Sequence, residues 1–283
     1  MTPRSDHFRF EEVADRAWAA IAIDSGAAVG NAGFADLGGR LLVVDCGFTP
    51  AAARDLRAAA EELVGPVDRL VVTHAHFDHY GGAQVFADVP IVATEQTRAE
   101  IAATGPPRLA ELREGAASYL AELDERDAPG LEREQGRRVA DELPGLECTP
   151  PTESFAGELD LGAARVLECG AGHTQSDAVV WLPGERVLFA ADVIGVDSHL
   201  NLAHGDPQNW LVILDRLEAL DPDRVVPGHG PPAGPEAIAT ARDYIETLLD
   251  FAARPGDHEL PAAYAGWAFP EGFQQNLAAL RAR

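Results

Sequence analysis

Apolar positions along the chain fall into short continuous runs broken by glycine, proline and charge, and these runs alternate with longer stretches of helical periodicity. Residues 8–49 read as β structure: an apolar run over 18–23, a glycine-punctuated segment over 30–35, a Gly38-Gly39 turn, and the run 41–44. That last run has no polar position, so it is expected to be buried on both faces. Thr49-Pro50 supplies an N-cap and a first helical residue for a helix through about Leu63, which Gly65-Pro66 ends. Leu70-Val71-Val72 is β-branched and bounded by Asp68-Arg69, which predicts a strand delivering the chain to Thr73. A short helix near 84–86, a strand over 90–93 and a helix over 94–103 continue the β-α-β-α alternation of a layered α/β arrangement.

Gly105-Pro106-Pro107 is expected to interrupt that helix. Residues 105–150 then read as a helical insertion of two or three amphipathic helices, with Leu109, Leu112, Ala116, Tyr119, Leu120 and Leu123 at helical spacing. Such an insert is either a packed structural element or a lid over a site. Strands are predicted over 155–161 and 165–169, and a hairpin over 178–182 and 187–191 around a Pro183-Gly184 turn. A helix over 207–220, a strand over 224–227, a helix over 235–253 and a looser tail complete the chain. Residues 1–283 are expected to form one domain carrying the insertion.

The stretch Thr73-His74-Ala75-His76-Phe77-Asp78-His79-Tyr80-Gly81-Gly82 changes this picture from architecture to chemistry. Three imidazoles and a carboxylate lie within six positions directly after a predicted strand. In extended backbone alternate side chains share a face, so His74 and His76 could reach one metal ion. A turn after His76 would carry Asp78 and His79 to a second position nearby. The pattern recurs later: His173 leaves a strand on a glycine-rich loop, Asp192 follows the hairpin, and His229 stands between Gly228 and Gly230. Five of nine histidines are thus expected at strand ends with two aspartates, enough for two adjacent ions. Asp45, at the end of the 41–44 run, is either a turn former or a group orienting a ligand histidine. Tyr80 could donate to an oxyanion or pack beneath the loop; His199 and His204 could contact substrate or face solvent. Ser176 and Asp177 could brace His173, and Cys46 stands beside Asp45.

Composition narrows the partners. The net charge of −24 disfavours a nucleic-acid backbone or an anionic membrane as a surface to bind. All 22 basic residues are Arg, which removes lysine Schiff-base chemistry and a P-loop lysine. Three widely spaced cysteines do not suggest a disulfide framework. No apolar stretch approaches the roughly 18 residues of a membrane span, and the first residues lack a basic segment followed by an apolar one. A cytoplasmic location is expected, with a small molecule as the partner. The oligomeric state is left open, a dimer included.

On the motifs Asp45-Cys46-Gly47, Thr73 to Gly82, Gly172-His173-Thr174, Ala191-Asp192 and Pro227-Gly228-His229-Gly230, the chain resembles the metallo-β-lactamase-fold hydrolases over residues 18–253. The resemblance implies an α/β (α+β layered) fold, a four-layered αβ/βα sandwich with a metal site along the sheet edges. Carried over, His74, His76 and His173 would bind a first zinc, Asp78, His79 and His229 a second, and Asp192 would bridge them, with Asp45 behind the histidines. Two Zn2+ ions are implied, with Fe or Mn as alternatives. The function this implies is a binuclear zinc-dependent hydrolase of a small carboxylic-acid derivative, a thioester or lactone, through attack by metal-bound hydroxide with Asp78 as the orienting catalytic group. An aspartate rather than a cysteine at position 192 and the absence of a visible leader disfavour antibiotic cleavage. Histidine rather than glutamate at 76 disfavours di-iron redox chemistry. A glyoxalase II-like or lactonase branch is therefore expected, with an iron-dependent persulfide-type oxygenase or a β-lactam hydrolase as alternatives.

Overall fold

The computed structural model describes residues 3–254 and 256–283. Its first half runs β1 (Phe8–Ala14), β2 (Ala17–Ala22), β3 (Ala32–Asp36), β4 (Leu41–Val44), α1 (Pro50–Leu63), β5 (Val67–Val71), α2 (Phe77–Tyr80), β6 (Ile91–Thr94) and α3 (Glu95–Glu125). It continues with α4 (Gly130–Glu142), β7 (Glu153–Phe155), β8 (Glu158–Asp160), β9 (Arg165–Gly170), β10 (Asp177–Leu182) and β11 (Val187–Gly195). The chain closes with α5 (Pro207–Glu218), β12 (Arg224–His229), α6 (Glu236–Ala253) and α7 (Gly272–Arg281).

Strands β1 to β7 form one seven-stranded sheet in chain order, and β12-β11-β10-β9-β8 form a five-stranded sheet. The first sheet is antiparallel up to β4 and parallel from β4 to β7. The two sheets face each other through Ala19, Leu42, Val44 and Val71 on one side and Val166, Val180, Leu182 and Phe189 on the other. Helices α1 and α3 cover the outer face of the first sheet, and α5, α6 and α7 that of the second. The result is the helix-sheet-sheet-helix sandwich expected, in which β4 and β10 are buried along their whole length because both of their faces are covered.

Local chemistry explains most boundaries. Thr49 caps α1 by accepting from the Ala52 amide at 3.3 Å, and Pro50 begins the helix. Four expectations are corrected. Helix α3 is not interrupted at Gly105-Pro106-Pro107 but runs through it, because Ile101, Gly105 and Leu109 share one buried face that tertiary packing holds in register. A side chain at 105 would meet Cys148 Sγ at 2.4 Å, so glycine is required there by close approach. The run 155–161 is not one strand: Gly157, with φ +73°, lets β7 leave the first sheet and β8 enter the second. The tail is not loose, since α7 buries Phe273 and Leu277 against the outer helices. Finally, β11 extends to Gly195, so Asp192 lies within an irregular stretch of that strand rather than after it.

One buried amide ties the two sheets together at the edge that matters. Asn31, 4% exposed, accepts from the Ala22 amide at 2.9 Å and donates to Pro227 O at 2.9 Å and Gly230 O at 2.8 Å. Its backbone amide also donates to Gly228 O at 2.7 Å. Asn31 thus clamps the turn bearing His229 onto the strands of the opposite sheet. Asn31→Ala would leave the Ala22 amide and two carbonyls without these partners, and we expect a loss of about 2–3 kcal/mol in urea unfolding. A change below about 0.5 kcal/mol would show that solvent replaces all three bonds.

Candidate metal centre

The side chains singled out in the sequence converge where the two sheets meet. Asp45 takes a left-handed backbone, φ +56°, at the end of β4, which turns its carboxylate under the loop after β5. One oxygen accepts from the Thr73 amide at 2.8 Å; the other accepts from the Thr73 hydroxyl at 2.8 Å and faces His79 Nδ1 at 2.9 Å. The Thr73 hydroxyl also contacts His74 Nδ1 at 3.0 Å. A carboxylate accepts only, and a hydroxyl has one proton to give. The Thr73 proton therefore goes to Asp45, His74 Nδ1–H donates to Thr73, and His79 Nδ1–H donates to Asp45. Both imidazoles are left with the Nε2 lone pair turned away from the carboxylate. His173 is set similarly, its Nδ1 3.1 Å from Asn201 O, on a loop braced by three amide bonds from Gly172, His173 and Thr174 to the Asp177 carboxylate.

Those lone pairs meet in two groups. His74, His76, His173 and Asp192 offer atoms all within 4.8 Å of one another, and so do Asp78, His79 and His229. His173 Nε2 stands 2.8 Å from His76 Nδ1 and 3.1 Å from Asp192 Oδ2. Asp192 Oδ1 faces the second group, 3.0 Å from His79 Nε2 and 3.5 Å from His229 Nε2. Asp78 Oδ2 lies 3.2 Å from His229 Nε2. The buried atoms His74 Nε2, His79 Nε2 and Asp192 Oδ1 make no hydrogen bond. Polar atoms are not left orphaned in a protein interior without a partner, and a cluster of imidazole nitrogens and carboxylate oxygens with open lone pairs has the donor set of a divalent cation. The residues present fit a metal.

Charge is unevenly distributed across the centre. Burial, reinforced by neighbouring imidazoles, drives His74 well below the ordinary histidine range and His76 down to about 3. Burial opposes protonation of His79 and His229 as well, but the carboxylates beside them prevail: Asp192, Asp78 and Asp45 raise His79, and Asp192 with Asp78 raises His229 to about 10. Asp78 shows the reciprocal effect; burial would raise it, yet His79 and His229 hold it at about 2. Protons on the second group therefore stand where a cation would.

A cavity of about 320 Å³ opens onto the cluster, reached by His76, Asp78, His173, Asp192 and His229. His199 lines it, with Nδ1 2.8 Å from the Tyr244 hydroxyl and Nε2 buried without a partner. His204 sits behind His76, its Nδ1 3.1 Å from His76 Nε2, and is not part of the cavity wall. Tyr80 is corrected: it does not reach the cavity but is buried beneath the insert, its hydroxyl beside Gly105 and Cys148, so it does not serve as an oxyanion donor. Cys46 is buried with its thiol directed at His79 O. Sequence reasoning missed Thr73 as the link between Asp45 and His74, although it stands in the same motif. It also missed Val29 and Phe269 at the cavity mouth, for which residue type gives no signal.

Known proteins share this family and this fold. The family model described as the metallo-beta-lactamase superfamily matches residues 25–229. A metallo-beta-lactamase type 2 of Bacteroides fragilis is 30% identical over 37% of this chain and 44% of its own. A linear primary-alkylsulfatase of Pseudomonas is 27% identical over 74% of this chain and 44% of its own. A 2,4-dinitroanisole O-demethylase subunit alpha of Nocardioides is 25% identical over 67% and 49%. The chain thus spans about half or less of the length of these relatives. Among solved structures, a metallo-beta-lactamase from Erythrobacter litoralis superposes with a TM-score of 0.62 at 21% identity, over 86% of this chain and 98% of that one. The mono-zinc form of a Pseudomonas aeruginosa enzyme gives 0.62 at 18%, over 87% and 98%.

A ligand histidine must give up its proton to bind metal, and His229 is held protonated up to about pH 10 in the metal-free protein. Loading should therefore release protons at pH 7, and affinity at the Asp78, His79 and His229 group should rise about tenfold per pH unit per displaced proton between pH 6 and 9. For folding of the metal-free protein the sign is opposite. The raised His229 stabilises fully below its unfolded value near 6.5, and that contribution is lost as pH rises through about 10. Chelator competition with parallel pH-stat titration measures the first effect; a pH-independent affinity with no proton release would contradict it.

Proposed function

Because the chain belongs to the metallo-beta-lactamase superfamily, we propose that it is a two-metal hydrolase of a small carboxylic-acid derivative, a thioester or lactone. The observation that carries this reading is the pair of adjoining donor groups, seven side chains in all, opening into one cavity. In it His74, His76 and His173 hold one Zn2+, Asp78, His79 and His229 a second, and Asp192 presents one oxygen to each group. When bound, the metals supply Lewis acidity, activating water and polarising the carbonyl.

The chain's own residues do the rest. Asp78 is the most open carboxylate of the cluster, 19% exposed against 9% for Asp192, and its neighbours keep it ionised at neutral pH. It orients the attacking water by accepting a hydrogen bond from it. Asp45 and Thr73 act through His74 and His79, holding a proton on each Nδ1 so that Nε2 is the atom each ring presents to the centre. His199 contributes to the cavity wall with its ring anchored through Nδ1 to the Tyr244 hydroxyl. Ser198 lines the cavity, but among the described residues no histidine bonds its hydroxyl, which favours water over a serine nucleophile. A β-lactam hydrolase is the second reading, favoured by the Bacteroides fragilis relative; an alkyl sulfate joins the panel from the Pseudomonas one.

Turnover of thioesters, lactones, nitrocefin and an alkyl sulfate by protein of measured metal content tests these readings. His76→Ala is expected to lower metal content and to reduce hydrolysis of the best substrate more than about 100-fold with the circular dichroism spectrum unchanged. Undiminished hydrolysis in that variant would sink the proposal.

A further inference from the structure

A second cavity, of about 400 Å³, lies between α3 and α4 and shares Val29, Phe48 and Phe269 with the wall of the metal-centre cavity. Its other walls are largely apolar, formed by Leu112, Ala116, Tyr119, Val139 and Leu143. Two charged residues reach it, Arg108 and Glu111, and they pair with each other at 3.0 Å, so neither calls for a charged occupant. Tyr119 and Phe269 are 48% and 43% exposed, large apolar surfaces left uncovered within the groove. Phe269 also packs edge-on to His229, ring centres 5.4 Å apart, so the groove ends against the cluster itself.

The backbone supplies an independent sign. Val29 and Phe269, both on the shared wall, hold left-handed conformations with φ of +64° and +58°. For a β-branched or aromatic residue this is strained by about 1–3 kcal/mol, and such strain persists where a ligand wall requires it.

We propose that the groove between α3 and α4 receives an unbranched apolar chain of the substrate, whose reacting group then lies at the histidine and aspartate cluster. This rests on the hydrolase reading above and names its substrate class: an acyl or alkyl-substituted thioester or lactone with its reacting group at the cluster and an apolar end in the insert. The insert is thus a specificity element continuous with the site. Continuity of the two cavities favours part of the substrate over a second protein as the occupant.

The test uses straight-chain thioesters from acetyl to decanoyl as substrates, and the matching free carboxylates as ligands in calorimetric titrations of the full chain. Both kcat/KM and carboxylate affinity should rise about two- to fourfold per methylene until the groove is filled. Ala116→Phe, which fills the groove, should lower the decanoyl-to-acetyl ratio of kcat/KM at least about tenfold. If that variant melts early, Gly115→Phe replaces it, since a Cβ there meets nothing within 4 Å. Hydrolysis without chain-length dependence would overturn the groove and leave the hydrolase reading intact. Affinity that climbs with chain length in the absence of any turnover would support the groove and overturn that reading. Flat affinity together with a concentration-dependent dimer abolished by Ala116→Phe would assign the groove to a second copy and refute the proposal.

Discussion

The centre depends on one buried carboxylate. Asp45 is 2% exposed and lies in the interior with bonds from Thr73 and His79. An isolated charge at such depth would be costly; here three donors meet it, and two of them fix the orientation of imidazoles. Through Thr73 the same carboxylate reaches His74, which belongs to the other donor group. One residue thus aligns a histidine in each half of the centre. A change there would be felt in both at once, whereas loss of Asp177 would disturb only the loop of His173.

The geometry around Asp45 is expensive in backbone terms. Asp45 and Ala191, the residue before Asp192, both hold left-handed conformations, φ +56° and +45°. Such conformations survive when surrounding structure over-determines them. Here the surroundings are the two sheets and the Asn31 clamp between them. Gly228 shows how little room remains: a Cβ there would lie 1.9 Å from Asp192 Oδ1. The glycine before His229 is therefore demanded by its neighbour's carboxylate rather than by turn geometry, its own φ being unexceptional.

How much of this the sequence revealed follows from what each device uses. Runs such as 41–44 and 178–182 were legible because a strand covered on both faces must be apolar throughout, and their ends were legible because polar and glycine residues follow at once. The convergence of His74, His76, Asp78, His79, His173 and His229 was legible as a shared position at strand ends, and Asp192 joins them from an irregular stretch within β11. The Pro106-Pro107 pair misled, since local propensity predicts a break and the buried face at Ile101, Gly105 and Leu109 overrides it. Tyr80 misled for a related reason: adjacency in sequence to a ligand says nothing about which side of a one-turn helix a ring occupies, and α2 turns this one inward. Val29 and Phe269 were invisible, because no residue-type rule anticipates a valine or phenylalanine in left-handed backbone.

These differences separate two kinds of constraint within the molecule. The donor cluster is polar, buried and held by directional bonds, so its residues are few in kind and regular in spacing, and sequence carries them well. The wall between α3 and α4 is made by contact and volume alone, which many apolar combinations can satisfy, and its shape exists only once the helices are packed. The insert is tied to the body through Leu109, Leu143 and Leu146, with Leu112, Ala116 and Val139 packed against the same core, while Gly115, Tyr119 and Ala140 on the groove lie outside it. A fold arranged this way can change what it accepts by altering the insert while the chemistry at the sheet edge stays as it is.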